Sequence, residues 1–174
     1  IKVNPFDQPQ VEESKASTRG FLANKEAGEK IQSSEISAVK DLLHEIGDDD
    51  YIAILAYLAP NLSVESALAE FKHKLMKVCD IPVTYGFGPA YLHSTGQFHK
   101  GGPRTGKFIQ LIDNEIQETP NVPGRDYNFY ELIKAQADGD LEVLLASGKK
   151  IIRVNVEKDL NAKLNQIVMS VGAV

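Results

Sequence analysis

Two polar side chains near the start of the chain have a spacing that could place them in one site. Gln8 and Lys15 are seven residues apart, which is two turns of an α-helix, so both would project from nearly the same side. Lys15 also shares a helical face with Val11 and Thr18. A lysine on such a face either extends along it to reach water or is held inward as a hydrogen-bond donor and point charge. The spacing alone leaves both interpretations open.

A second set of candidate residues lies in the 91–105 loop, which follows an expected strand and is dense in Gly, His, Ser and Thr. Its polar side chains could bind a sugar or a phosphate, and its glycines would let backbone amides approach an anion. The candidate substrate-binding residues are His93, Ser94, Thr95, Gln97, His99 and Lys100. The competing interpretation is structural: these residues cap a helix and fix the loop to the sheet or to a neighbouring domain, because polar Gly-rich turns are common without any ligand.

The spacing disfavours three other chemistries. His93 and His99 are six residues apart, which is not the spacing of a helical zinc pair, and no carboxylate stands beside them. Ser94 lacks the Gly-x-Ser-x-Gly turn of a hydrolase. Gly86 and Gly88 form too short a motif for a dinucleotide fingerprint. We therefore predict neither a metal nor a cofactor.

The string from Asn4 to Lys15, NPFDQPQVEESK, resembles the C-terminal signature of glucose-6-phosphate isomerases. That signature reads Phe-Asp-Gln, two variable residues, Val-Glu, two more residues and Lys. The matching residues are Phe6, Asp7, Gln8, Val11, Glu12 and Lys15. The chain departs from the pattern at Gln10 and Ser14, where many members carry Gly.

A second run also carries a resemblance. Residues 86–103 and 108–111 are similar to the C-terminal region of bifunctional transaldolase/glucose-6-phosphate isomerases, and to extended isomerases that lack the transaldolase half. The two runs together imply that the chain, which opens at Ile1 without a Met, is the C-terminal piece of such an enzyme.

The resemblance implies a function and two catalytic residues. Lys15 would assist opening of the hexose ring and hold negative charge near the substrate, and Gln8 would face the sugar phosphate. The reaction would interconvert glucose 6-phosphate and fructose 6-phosphate, a step of glycolysis and gluconeogenesis. The carboxylate base, the ring-opening His and the phosphate pocket would come from upstream domains of the same chain, so the fragment alone should be inactive. The alternative is a non-catalytic α/β module that binds a phosphorylated sugar or another subunit through the 91–105 loop.

The elements that would position these residues alternate along the chain. Apolar runs predict strands over 51–58, 81–87, 107–112 and 150–156, and the first is apolar on both faces, as in a central parallel strand. Helical patterns cover 8–31, 34–46, a segment capped by Ser63, 128–137, 139–147 and 159–171. This order predicts a three-layer αβα fold with a mainly parallel sheet of about four strands, preceded by an N-terminal helical segment. The expected division is a helical segment over 1–33 and an α/β domain over 34–174.

Composition restricts the partners. The net charge of −5, without a clustered basic face, argues against nucleic acid. No apolar run approaches the ~20 residues of a membrane span. Cys79 stands alone, so an internal disulfide is impossible and a cytoplasmic location is expected.

Overall fold

Four parallel strands form one sheet at the centre of the protein. The computed structural model describes residues 9–24, 33–115, 119–156 and 159–172. The strands are β1 (Tyr51–Tyr57), β2 (Val83–Phe87), β3 (Gly106–Ile112) and β4 (Lys150–Asn155), in the order β2-β1-β3-β4. Every neighbouring pair is parallel. β1 and β3 are central and buried on both faces, which explains their nearly continuous apolar sequences.

Helices cover both faces of the sheet. The six α-helices of the described residues are α1 (Pro9–Ala23), α2 (Ile36–His44), α3 (Leu62–Cys79), α4 (Gly96–Gly101), α5 (Phe129–Ala146) and α6 (Leu160–Gly172). α2, α3 and α6 bury their apolar residues against one face. A 3-10 helix (Ala90–His93) and α5 pack on the other face, and α1 lies against α5. The predicted αβα fold with an N-terminal helix is confirmed.

The connections between strands create a switch point in the sheet. From β1 the chain passes through α3 to the edge strand β2. It then returns across the other face through α4 to β3, and α5 leads on to β4. The chain therefore leaves β1 and β3 in opposite directions along the sheet. In open α/β sheets, the crevice at the carboxyl ends of two such strands is the usual place for a ligand.

Several element boundaries differ from the sequence predictions. α1 ends at Ala23 and not near 31, and residues 25–32 lie outside the described part of the chain. The N-cap of α3 is Asn61 and not Ser63, because the Asn61 side chain accepts a hydrogen bond from Val64 N at 3.0 Å. The predicted cap at Asp159 is confirmed: its carboxylate accepts from Ala162 N at 2.8 Å.

Two larger differences concern the face that carries α5. The patterns over 128–137 and 139–147 form one helix, which continues through Gly139. The predicted 91–105 loop contains the 3-10 helix and α4, and it crosses the face of the sheet from the end of β2 to the start of β3. Glycine and polar content favoured a loop here, but Tyr91 and His99 have buried contacts that hold the segment in short helices.

Candidate functional site

α1 is held against α5 by small residues. Its buried side chains are Val11, Ser14 and Thr18, which follow one another at three- and four-residue steps. The two helices approach closely at Gly139, where a Cβ atom would lie 2.9 Å from Thr18 N and 3.1 Å from Ser14 O. Glycine is required here because the atoms it faces belong partly to the backbone of α1.

Lys15 lies on the outer side of α1. Its side chain is 52% exposed, and its Nζ is 2.6 Å from a carboxylate oxygen of Glu12. The buried stripe passes through Ser14, so Lys15 reaches water and does not point into α5. The Lys15 hydrogen bond and charge lower the pKa of Glu12. Gln8 lies outside the described residues.

The six candidates of the 91–105 loop do not form one cluster. His93, Ser94 and Thr95 are exposed and Gln97 is partly buried, whereas His99 and Lys100 are buried. Three of the six, Ser94, Thr95 and His99, line a small cavity of about 70 Å³ against β1 and β2.

His99 occupies a largely aromatic environment. Its Nδ1 is 2.9 Å from the Tyr51 hydroxyl, and its ring meets the Phe108 ring at 5.3 Å between centroids. Burial, with smaller effects from the charges of Lys100 and Lys149, lowers the pKa of His99 to about 4. The imidazole is therefore neutral at pH 7, where it can donate one hydrogen bond and accept another but cannot act as a cation.

Lys100 is paired with a buried carboxylate of α5. Its Nζ lies 2.5 Å from Asp140 Oδ1, and both side chains are fully buried. The Tyr91 hydroxyl also donates to the other oxygen of Asp140. Burial raises the pKa of Asp140 and lowers the pKa of Lys100. In this conformation the Lys100 ammonium faces the protein interior and not a ligand in solvent.

A second buried ion pair involves Asp138, two residues before Asp140 in α5. Asp138 Oδ1 is 2.5 Å from Arg153 Nη1 of β4, and Asp138 Oδ2 is 3.2 Å from Lys134 Nζ. Arg153 Nε donates to Gln110 Oε1 at 2.7 Å, and Gln110 Nε2 donates to the carbonyl of the residue before Asp138 at 2.9 Å. These bonds join α5 to β3 and β4. Sequence reasoning missed both pairs, although two acidic residues between the apolar residues Ala137 and Leu141 were a usable signal.

A sizeable cavity, referred to below as the carboxyl-edge cavity, lies at the carboxyl edge of the sheet. It measures about 390 Å³ and lies beside the ends of β1, β2 and β3 and the first turns of α5. Its walls are mainly apolar and aromatic, with a few polar groups that include Asp113, Asn114, Tyr130 and Asp138. We expected the 91–105 loop to form a ligand site after its strand. None of the six candidate residues of that loop lines this cavity.

Neither a metal cluster nor a membrane helix is evident in the described part of the chain. Across residues 9–24, 33–115, 119–156 and 159–172, no three His, Cys, Asp or Glu side chains are grouped to hold an ion. Over the same ranges, no helix combines the length and apolar character needed to cross a bilayer.

Comparison with known proteins shows the fold and no family. No protein-family model matches the chain, and no curated protein matches it. A crystal structure of a hypothetical protein from Thermus thermophilus is similar to 95% of this chain, with a TM-score of 0.60 and 16% sequence identity. The present chain spans 43% of the length of that protein. At this identity, the similarity establishes a shared α/β fold.

Proposed function

We propose that this chain is the C-terminal portion of a glucose-6-phosphate isomerase and that α1 supplies Lys15 to an active site completed by other segments. The observation that carries the proposal is the orientation of α1. Its inner face rests on α5, and its outer face presents Lys15 and Glu12. A lysine in this position is fixed by the fold and is still accessible to another part of the protein and to a substrate.

The resemblance of residues 4–15 to the isomerase signature supports the same lysine. Lys15 occupies the position whose ammonium assists ring opening in that family, and Gln8 occupies the position that faces the sugar phosphate. An ammonium suits this role because it is a compact donor on a flexible stem. In the proposal, the general base, the ring-opening His and the phosphate pocket come from upstream segments, so the 174-residue chain alone has no isomerase activity. The similarity of residues 86–111 supports a bifunctional transaldolase/isomerase as the full-length protein.

The alternative function, binding of a phosphorylated sugar or another subunit through the 91–105 loop, is supported by the exposure of His93, Ser94 and Thr95. Of its two forms, the exposed residues favour contact with another subunit. An anion would need a cation, and the lysine within the candidate set, Lys100, is paired with Asp140.

The test uses the full-length enzyme that contains this chain. Lys15→Ala should lower kcat for fructose 6-phosphate formation by about 10²–10⁴-fold, the range for a positioned proton donor. Lys15→Arg should fail as well, because the planar guanidinium is larger and cannot take the place of the ammonium. Arg19→Ala is the matched control, since Arg19 lies one turn further along the exposed side of α1.

Stability must be measured in parallel with activity. The Lys15–Glu12 pair is exposed, and such pairs contribute little to folding, so Lys15→Ala should unfold at the same urea concentration as the native protein. A loss of kcat without a loss of stability supports the catalytic assignment. Near-native activity of Lys15→Ala overturns it.

A further inference from the structure

We propose that the carboxyl-edge cavity binds a small planar aromatic molecule that carries a hydrogen-bond-donating amino group. The proposal goes beyond the isomerase function, because Lys15 is not among the described residues that line this cavity. It rests on the position of the cavity, the character of its walls and the polar groups that converge on it.

Position and size are those of a ligand site. The cavity lies beside the carboxyl ends of β1 and β3, where the chain leaves the sheet in opposite directions. Its volume of about 390 Å³ falls within the range of about 300–1,000 Å³ that small-molecule sites occupy.

The walls favour a flat apolar body. Four aromatic side chains, Tyr57, Phe87, Phe129 and Tyr130, line the cavity. Phe129 stands in the first turn of α5 and is 44% exposed, which is unusual for a large aromatic residue on a concave wall. A planar ring placed against it would bury this surface and could stack on the neighbouring rings.

The polar groups favour a donor on the ligand. Asp113 and Asn114 directly follow β3 and line the cavity, so a carboxylate and an amide belong to its wall; Asp113 Oδ1 also accepts a hydrogen bond from Glu115 N at 2.9 Å. Burial, with smaller contributions from the charges of Asp113 and Asp138, raises the pKa of Tyr130, so its hydroxyl is protonated at pH 7 and can accept a hydrogen bond. An amino group is the natural complement of this acceptor-rich wall.

The same wall is poorly suited to a phosphate. The first three amides of α5 are already engaged: Phe129 N with the Pro120 carbonyl, Tyr130 N with Thr119 Oγ1, and Glu131 N with Asn128 Oδ1. Lys134, the lysine that lines the cavity, is paired with Asp138 at 3.2 Å. A phosphate here would meet the Asp113 carboxylate, and neither the engaged amides of α5 nor Lys134, which is paired with Asp138, would offset this charge.

The test is calorimetric titration of the 174-residue chain with four probes: adenosine, purine riboside, adenosine 5′-monophosphate and fructose 6-phosphate. Adenosine should bind saturably. Purine riboside, which lacks the amino group, should bind at least about tenfold more weakly. The monophosphate should also bind more weakly than adenosine, and fructose 6-phosphate should not compete with it.

Two variants and their controls locate the site. Ala59→Trp, at the exposed mouth of the cavity, should abolish adenosine binding, and Asp113→Asn should weaken it at least about tenfold. The controls are Ala162→Trp and Asp41→Asn, both exposed on helices of the opposite face, which should leave binding unchanged. Absence of saturable adenosine binding, equal affinity of Asp113→Asn and Asp41→Asn, or displacement of adenosine by fructose 6-phosphate overturns the proposal. None of these results depends on isomerase activity, so failure here is separable from failure of the proposed function.

Discussion

Replacing Lys100 by methionine tests the buried ion pair between α4 and α5. Lys100 Nζ and Asp140 Oδ1 are 2.5 Å apart, and the side chains of both residues are inaccessible to solvent. Methionine has a similar length without the charge, so the variant leaves the Asp140 carboxylate buried with the Tyr91 hydroxyl as a donor. Removal of one partner of a buried pair costs about 3–5 kcal/mol. We expect a loss of that size in the free energy of unfolding at pH 8.

The loss should depend on pH in a definite direction. Burial raises the pKa of Asp140 above that of an ordinary Asp, which is about 3.9, and Lys100→Met removes the neighbouring positive charge that favours the ionised carboxylate. A raised folded-state pKa contributes stability that is fully present below the unfolded pKa and is lost as pH rises through the folded pKa. In Lys100→Met, no ammonium opposes the protonation of Asp140. The variant should therefore be more stable at pH 5, where the carboxyl is neutral, than at pH 8.

Urea unfolding followed by circular dichroism at pH 5 and pH 8 measures both effects. The double variant Lys100→Met/Asp140→Asn leaves a neutral amide, and should recover most of the stability at pH 8 and lose the pH dependence. Lys150→Met is the matched control, because Lys150 also pairs with a carboxylate, that of Glu45, but on the surface, with 55% and 56% of the two side chains exposed. If Lys100→Met loses no more stability than Lys150→Met, or loses the same amount at both pH values, the buried pair does not stabilise the fold as argued.

Three further outcomes follow from particular contacts. Gly139→Val places a Cβ 2.9 Å from Thr18 N and should lower the free energy of unfolding in urea by about 1–3 kcal/mol. Gly20→Ala has open space around its Cβ and should raise that free energy by about 0.5–1 kcal/mol. Equal effects of the two substitutions would contradict the close packing of α1 on α5. Asn128→Ala removes the cap of α5 and should cost about 1 kcal/mol by the same measurement, and an unchanged midpoint would refute the capping role. In nuclear magnetic resonance spectra, the ring resonances of His99 should not titrate between pH 5 and 8, since its pKa is lowered to about 4. Because the pKa of His99 is lower in the folded state than in the unfolded state, its contribution to stability should fall as the pH drops from about 6.5 through 4.

The sheet was predictable because a strand that is buried on both faces has a nearly continuous apolar sequence. β1 and β3 are apolar runs with few interruptions, and the helical stripes of α2 and α6 are regular. The apolar run over 81–87 predicted a strand but not its place: β2 lies at an edge of the sheet and is mostly half-exposed, because edge position depends on strand order. A local apolar pattern does not encode strand order.

Local sequence patterns could not predict which residues contact the buried polar groups. Gly139 suggests a break between two helices, since an isolated glycine weakens a helix when nothing packs on it. In the structure α1 packs there, and the contact compensates for the glycine. The pairing of Lys100 with Asp140 joins residues 40 positions apart, and no spacing rule reaches that far. The carboxyl-edge cavity was missed for the same reason, because its walls come from several separate segments.

Asp138, Gly139 and Asp140 explain how α1 acquires a fixed place in the fold. Successive helical residues point about 100° apart, so these three face different neighbours. Asp138 faces Arg153 of the sheet, Gly139 faces Thr18 of α1, and Asp140 faces Lys100 of α4. The middle of α5 is therefore enclosed, and two buried ion pairs flank the glycine on which α1 rests. The orientation of Lys15 thus depends on residues of α5 more than 120 positions away, which the isomerase-like motif itself does not contain.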